Sequence, residues 1–201
     1  MADTKLVAIL RGITPAEAGA HTAALIEAGF RYIEIPLNSP DWQQSIPALV
    51  SEYGHQAMIG AGTVLNVEQV DILAEAGAKL VVTPNTQPAV IRQAVDKGML
   101  VCAGCATATE AFSALDAGAQ WLKIFPSSAF GPAYIQALKA VLPASVPVLA
   151  VGGITPENLS EYLRAGCAGA GLGSDLYRPG QAVSRTAEQA ARYLAAFAQA
   201  V

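Results

Sequence analysis

A chain of 201 residues that is 53% hydrophobic and only 14% charged can fill a large buried core, the opposite balance to a disordered segment. The formal charge is −4 and the twelve Lys and Arg nowhere cluster, which excludes a nucleic-acid surface. An anionic ligand would therefore have to be held by local groups, because the overall field does not attract it.

Met1 to Lys5 carry no secretory apolar region, and no apolar run later in the chain reaches the ~18 residues of a membrane span. A soluble, cytoplasmic protein is expected. The first strand is read near 5–11, ending in Arg11, a residue type suited to a carboxylate or phosphate. Thr14-Pro15-Ala16-Glu17 then reads as an N-cap, Pro at N1 and Glu at N3, so a helix starts there and carries His21. Glu27-Ala28-Gly29 closes it, with the glycine suited to the left-handed position that ends helices.

That unit recurs: a helix, a charged residue, a small or basic one, Gly, then a short apolar strand. Its later copies end in Gly77, Gly98, Gly118 and Gly166. Strands are expected near 31–36, 57–62, 79–84, 99–104, 120–125, 146–151 and 169–173. Further helix starts are read at Thr107-Ala108-Thr109-Glu110 and Thr155-Pro156-Glu157, and the last helix from about Gln181 to the end. Eight short strands alternating with helices imply a parallel sheet with right-handed crossovers. At this length the expected architecture is an α/β fold, the (β/α)8 TIM barrel. With no linker or break in composition, residues 1–201 are expected to form a single barrel domain.

The second strand holds Glu34 between Ile33 and Ile35, and the sixth holds Lys123 between Leu122 and Ile124. Charged residues rarely sit in such runs without cause. Lys123 shares a strand face with Trp121 and Phe125. One reading sends its ammonium to the rim or to a carboxylate partner; the other makes it a desolvated, partly neutral amine that attacks a ketone to form an iminium. Glu34 is then either that ion-pair partner or a carboxylate tuned to move protons, and the two roles are compatible. Thr63, after Gly60-Ala61-Gly62, offers an uncharged hydroxyl at a strand end, and the glycine spacing does not fit a dinucleotide turn.

Gly152 and Gly153 follow the seventh strand and Gly173-Ser174 the eighth, the positions where barrels of this kind often bind phosphate through backbone N–H groups. The three cysteines are an odd number, and Cys102 and Cys105 lie in an apolar strand run, so packing is expected rather than a disulfide or a metal. His21 and His55 fall on a helix and a loop and are read as structural or surface residues, leaving no metal-ligand cluster.

Taken in order, Ala8–Arg11, Ile33–Ser39, Ile59–Val64, Val82–Pro84, Leu122–Pro126, Val151–Gly153 and Gly171–Ser174 resemble the family of 2-keto-3-deoxy-6-phosphogluconate and 6-phosphogalactonate aldolases over nearly the whole chain. The resemblance implies that Lys123 is a Schiff-base lysine and Glu34 a proton shuttle. It also implies that Arg11 and Thr63 hold the pyruvate end, that Pro84 shapes the pocket, and that Gly152, Gly153, Gly173 and Ser174 bind phosphate. It further implies a homotrimer with no metal and no cofactor.

Val151 stands where gluconate enzymes often carry Thr, and Asn38 where some carry Arg; Val151 and the run Phe125–Gly131 are similar to galactonate members. The activity implied is reversible cleavage of 2-dehydro-3-deoxy-6-phospho-D-galactonate to pyruvate and D-glyceraldehyde 3-phosphate in galactonate catabolism, with the gluconate epimer as the alternative. A non-catalytic barrel or a sugar-phosphate epimerase would have no use for Lys123 together with Glu34.

Overall fold

The computed structural model describes residues 4–200. Met1 to Asp3, read above for a leader, and Val201, the expected end of the last helix, lie outside the described residues. The first half runs β1 (Lys5–Ile9), α1 (Pro15–Ala28), β2 (Tyr32–Pro36), α2 (Trp42–Tyr53), β3 (Met58–Gly62), α3 (Val67–Glu75), β4 (Leu80–Val82) and α4 (Pro88–Asp96). The second half runs β5 (Leu100–Cys105), α5 (Ala108–Asp116), β6 (Trp121–Ile124), α6 (Ser127–Lys139), β7 (Val148–Val151), α7 (Leu159–Arg164), β8 (Gly169–Leu172) and α8 (Val183–Ala200). All eight strands pair in parallel in chain order, and β8 returns to β1 to close the barrel. The (β/α)8 expectation holds.

Alternation along each strand creates two cores. Val7, Ile9, Leu80, Val82, Cys102, Trp121, Leu149 and Val151 fill the inside of the barrel. The intervening residues, among them Ala8, Ile33, Ala61, Val81, Leu122 and Ala170, pack outward against the helices. A three-residue spacing puts Cys102 in the inner core and Cys105 in the outer one. The two buried thiols therefore cannot act as a pair, and their role is packing. Cys167 is also buried in the outer core. Burial pushes all three thiols up to about 12.

The five glycines read as helix terminators all have positive φ, from 73° at Gly98 to 121° at Gly29. At α1 the Glu17 carboxylate reaches back to accept from the Thr14 hydroxyl at 2.7 Å, and at α5 Glu110 accepts from the Thr107 N–H at 2.9 Å. The third expected start is different. Residues 156–158 form a turn and α7 begins only at Leu159. The cause is Asn158, whose Oδ1 accepts from the Thr155 N–H at 2.9 Å while its Nδ2 donates to the Gly153 carbonyl, also at 2.9 Å. The backbone between Gly153 and Asn158 is thereby held in a turn before the helix starts.

Strands β1 and β4 are shorter at their C-terminal ends than expected, because Arg11-Gly12 and Thr83-Pro84 already belong to the loops. His21 is buried, with Nδ1 2.8 Å from the Thr186 hydroxyl, and joins α1 to α8; His55 is exposed in a turn after α2. Among the described residues no helix is long and apolar enough to cross a membrane, and no three His, Cys, Asp or Glu side chains gather where a metal ion could sit.

Candidate active site

In a parallel barrel every strand delivers its last inward residue to the same end, so loops from all eight converge there. At that end lies a cleft of about 890 Å³. Arg11, Glu34, Thr63, Lys123, Gly152, Gly153, Gly173 and Ser174 all line it, together with Pro84 and Val151. The fold has brought all eight candidate site residues read from the sequence to one cavity.

Lys123 and Glu34 lie at its floor, 6% and 2% exposed. Lys123 projects inward from β6, and its Nζ lies 5.1 Å from the centre of the Phe125 ring. Among the described residues it makes no ion pair. Burial lowers its pKa, partly opposed by Cys102 and Glu34, while Arg11 adds to the lowering. An amine with no carboxylate held against it keeps its lone pair in play. The direct ion pair considered from the sequence is not formed.

Burial raises the Glu34 carboxyl to about 7, against the pull of Lys123, Arg11 and the Gly62 N–H. Its Oε2 is buried without a hydrogen-bond partner. The room for this carboxylate comes from the neighbouring strand. A Cβ on Gly62 would lie 2.2 Å from Oε2 and 2.4 Å from Oε1. A carboxyl group near pH 7 can both take and return a proton at neutral pH.

Around this floor the polar groups divide into two sets. Arg11 Nη1 donates to Asn38 Oδ1 at 2.7 Å, which fixes the guanidinium at the β1 and β2 side. Thr63, at the end of β3, lines the cleft with φ 56°, a conformation unusual for a β-branched residue. On the other side, Gly152 and Gly153 have φ 99° and 75° in succession. The N–H groups of Gly152, Gly153, Gly173 and Ser174 donate to no protein acceptor among the described residues. Four idle backbone donors around one corner can serve as a socket for an anion.

Buried hydrogen bonds fix this socket to the scaffold. The Ser127 hydroxyl accepts from the Val151 N–H at 3.0 Å and donates to the Ile124 carbonyl at 2.7 Å, tying β7 to the strand that bears Lys123. The Tyr193 hydroxyl of α8 lies 2.8 Å from both the Ile154 carbonyl and Asp175 Oδ2, so one proton serves the loops after β7 and β8 together. Sequence reading missed Phe125, Thr155, Asp175, Tyr177, Arg178 and Pro179 as lining residues. Four of these lie in the β8–α8 loop, where no periodicity marks a residue as inward.

The chain is similar to known proteins in both sequence and fold. A relative from Escherichia coli (strain K12), 2-dehydro-3-deoxy-6-phosphogalactonate aldolase, is 68% identical over 98% of this chain and 96% of its own. A solved structure described as native KDPGal is 66% identical, with a TM-score of 0.98, and covers 100% of this chain and 97% of that one. A designed, cube-shaped protein cage made by fusing symmetric oligomeric domains matches at 67% identity and a TM-score of 0.98, covering 99% of this chain and 74% of the cage chain. The family model of KDPG and KHG aldolases matches residues 1–190, and the chain belongs to that aldolase family.

Proposed function

We propose that the chain is a class I aldolase that reversibly cleaves 2-dehydro-3-deoxy-6-phospho-D-galactonate into pyruvate and D-glyceraldehyde 3-phosphate, working as one barrel domain over residues 1–201. The observation that carries this reading is the buried, unpaired amine of Lys123 sharing a dry floor with a carboxyl group poised near pH 7.

The chemistry follows from those two groups. The Lys123 amine adds to the C2 carbonyl; the resulting hydroxyl leaves as water, with protons relayed by Glu34, and an iminium remains. Glu34 then takes the proton of the C4 hydroxyl. The C3–C4 bond breaks, its electron pair moves into the iminium, and C4 departs as the aldehyde of glyceraldehyde 3-phosphate. Protonation of the enamine at C3 and addition of water at C2 release pyruvate and restore the amine. The iminium is itself the electron sink, so the scheme calls on no metal or cofactor. Arg11 and Thr63 hold the carboxylate end, and the N–H groups of Gly152, Gly153, Gly173 and Ser174 hold the phosphate.

Reduction with borohydride in the presence of pyruvate tests the reading. Peptide mass spectrometry should place the adduct on Lys123, and a Lys123 left unmodified would defeat the mechanism. Val151 offers no hydroxyl to read C4 of the gluconate epimer, which removes any preference for it; the galactonate epimer is accepted, with some activity expected on the gluconate one. Comparing kcat/KM for the two epimers, before and after Val151→Thr, decides between them.

The same reading makes the protein a cytoplasmic homotrimer. Kinship with a cage built from symmetric oligomeric domains supports self-association, and exposed Leu65, Ile72 and Phe112 supply apolar surface for it. Light scattering at a trimer mass is the expected result.

A further inference from the structure

We propose that Arg178 is the cation that captures the phosphate end of the substrate and sets the preference for phosphorylated over unphosphorylated sugar acids. This deepens the aldolase reading and rests on it.

The charged side chains of the cleft narrow the choice. Lys123 is reserved for bond making, and Arg11 is held by Asn38 on the β1 and β2 side. The Asp175 carboxylate receives Gln189 Nε2 and the Tyr193 hydroxyl, each at 2.8 Å, and is satisfied within the scaffold. Glu34 is an acid and moves protons, so among the described residues lining the cleft Arg178 is the one cation left. Its Nε donates to the carbonyl of Ser174 at 2.8 Å, the same residue whose N–H is idle in the anion socket. Among the described residues its two terminal amino groups have no protein partner. A fork of donors with full positive charge therefore stands beside four backbone donors.

The arm is also pre-set. The Arg178 N–H donates to Gln181 Oε1 at 3.1 Å, and Gln181 Nε2 donates to the Leu176 carbonyl at 2.9 Å and to the Thr186 hydroxyl at 2.6 Å. Pro179, the next residue, packs against the β1–α1 loop so closely that a Cβ on Gly12 would lie 2.7 Å from its Cγ. With its backbone held on both sides, Arg178 gives up little freedom when an anion arrives. Backbone N–H groups alone carry only partial charge, whereas the chain as a whole is at −4 and repels an anion. A guanidinium at the rim reverses that field locally and presents a bidentate match to phosphate.

The test measures kcat and KM of the full chain with 2-dehydro-3-deoxy-6-phospho-D-galactonate and with its unphosphorylated counterpart, and inhibition by inorganic phosphate, for wild type, Arg178→Gln and Arg178→Lys. Glutamine keeps a donor for the Ser174 carbonyl but removes the charge; lysine keeps the charge but not the fork. Arg178→Gln should raise KM for the phosphorylated substrate about 10- to 100-fold, with a much smaller fall in kcat. It should also weaken phosphate inhibition in parallel and leave the unphosphorylated substrate's KM in place. Arg178→Lys should fall between. A parallel shift in both substrates, or a wild-type KM and phosphate inhibition in Arg178→Gln, would overturn the proposal. Pyruvate trapping at Lys123 involves no phosphate. If wild type traps pyruvate while Arg178→Gln behaves like wild type, only the role of Arg178 fails; if wild type does not trap, the aldolase reading fails with it.

Discussion

Replacing Gly62 with alanine is the sharpest test of how the two strands share space at the floor. The backbone there has no positive φ, so alanine is conformationally acceptable. Its Cβ, however, would lie 2.2, 2.4 and 2.5 Å from Oε2, Oε1 and Cδ of Glu34. Ordinary contact needs roughly 3.5 Å, so the carboxylate must retreat by about 1 Å. It is 2% exposed, and the one open direction is the cleft. The atoms that move are the far end of a flexible side chain, so the stability cost should be near the low end of overpacking, about 1 kcal/mol. The catalytic cost is of another order, since a displacement of about 1 Å in a proton-transferring group is worth about 100-fold in rate. Gly62→Ala should therefore lose kcat by about two orders of magnitude while borohydride still traps pyruvate on Lys123. The midpoint of the kcat/KM profile should also fall below that of wild type, because burial holds the Glu34 carboxyl up at about 7 and the displaced carboxylate gains water. Steady-state kinetics from pH 5 to 9 read all of this. A Gly62→Ala enzyme with near wild-type kcat and an unmoved profile would refute the argument that this glycine exists to seat Glu34.

Three further outcomes are expected. Burial raises Glu34 from 4.5 to about 7 on folding, so its neutral form is the favoured one in the folded state. Its contribution is fully present below about pH 4.5 and lost as the pH rises through 7. Glu34→Gln should thus gain up to about 3 kcal/mol over wild type at pH 9 and little at pH 4, as read by denaturant titration, while abolishing cleavage. Thr63 holds a left-handed φ of 56°, so Thr63→Gly should be about 1 kcal/mol more stable than Thr63→Ala, although both lose the hydroxyl and raise KM; equal melting temperatures would count against strain at this residue. The three buried thiols, pushed up to about 12, should resist a thiol reagent in the native protein and react only on unfolding, as a timed absorbance assay with and without denaturant will show.

Much of this molecule is legible in its sequence because each repeat combines a propensity with a pattern. The Gly that ends a helix and the apolar run after it locate five of the eight strands to within a few residues. Lys123 and Glu34 are conspicuous because charge inside a buried strand demands a reason. What escapes notice depends on contacts between distant segments. Thr155-Pro156-Glu157 has the composition of a helix start, and only the reach of Asn158 to Gly153 and Thr155 turns it into a loop at the cleft wall. Gly62 reads as part of a glycine pair, and its purpose emerges only from the β2–β3 register, which sets Glu34 beside Gly60 and Pro36 beside Gly62. Arg178 lies in an exposed loop with no periodicity, where nothing local separates a functional arginine from a solvated one.

The clasp made by Tyr193 ties the outermost element of the ring to its most central task. Because one hydroxyl on α8 bridges Ile154 and Asp175, seating the final helix and shaping the anion socket are linked equilibria. Occupancy of the socket then tightens the docking of α8, and fraying of α8 loosens the socket by the same free energy. Slower amide exchange along Val183–Ala200 in the presence of inorganic phosphate would be the signature of that reciprocity.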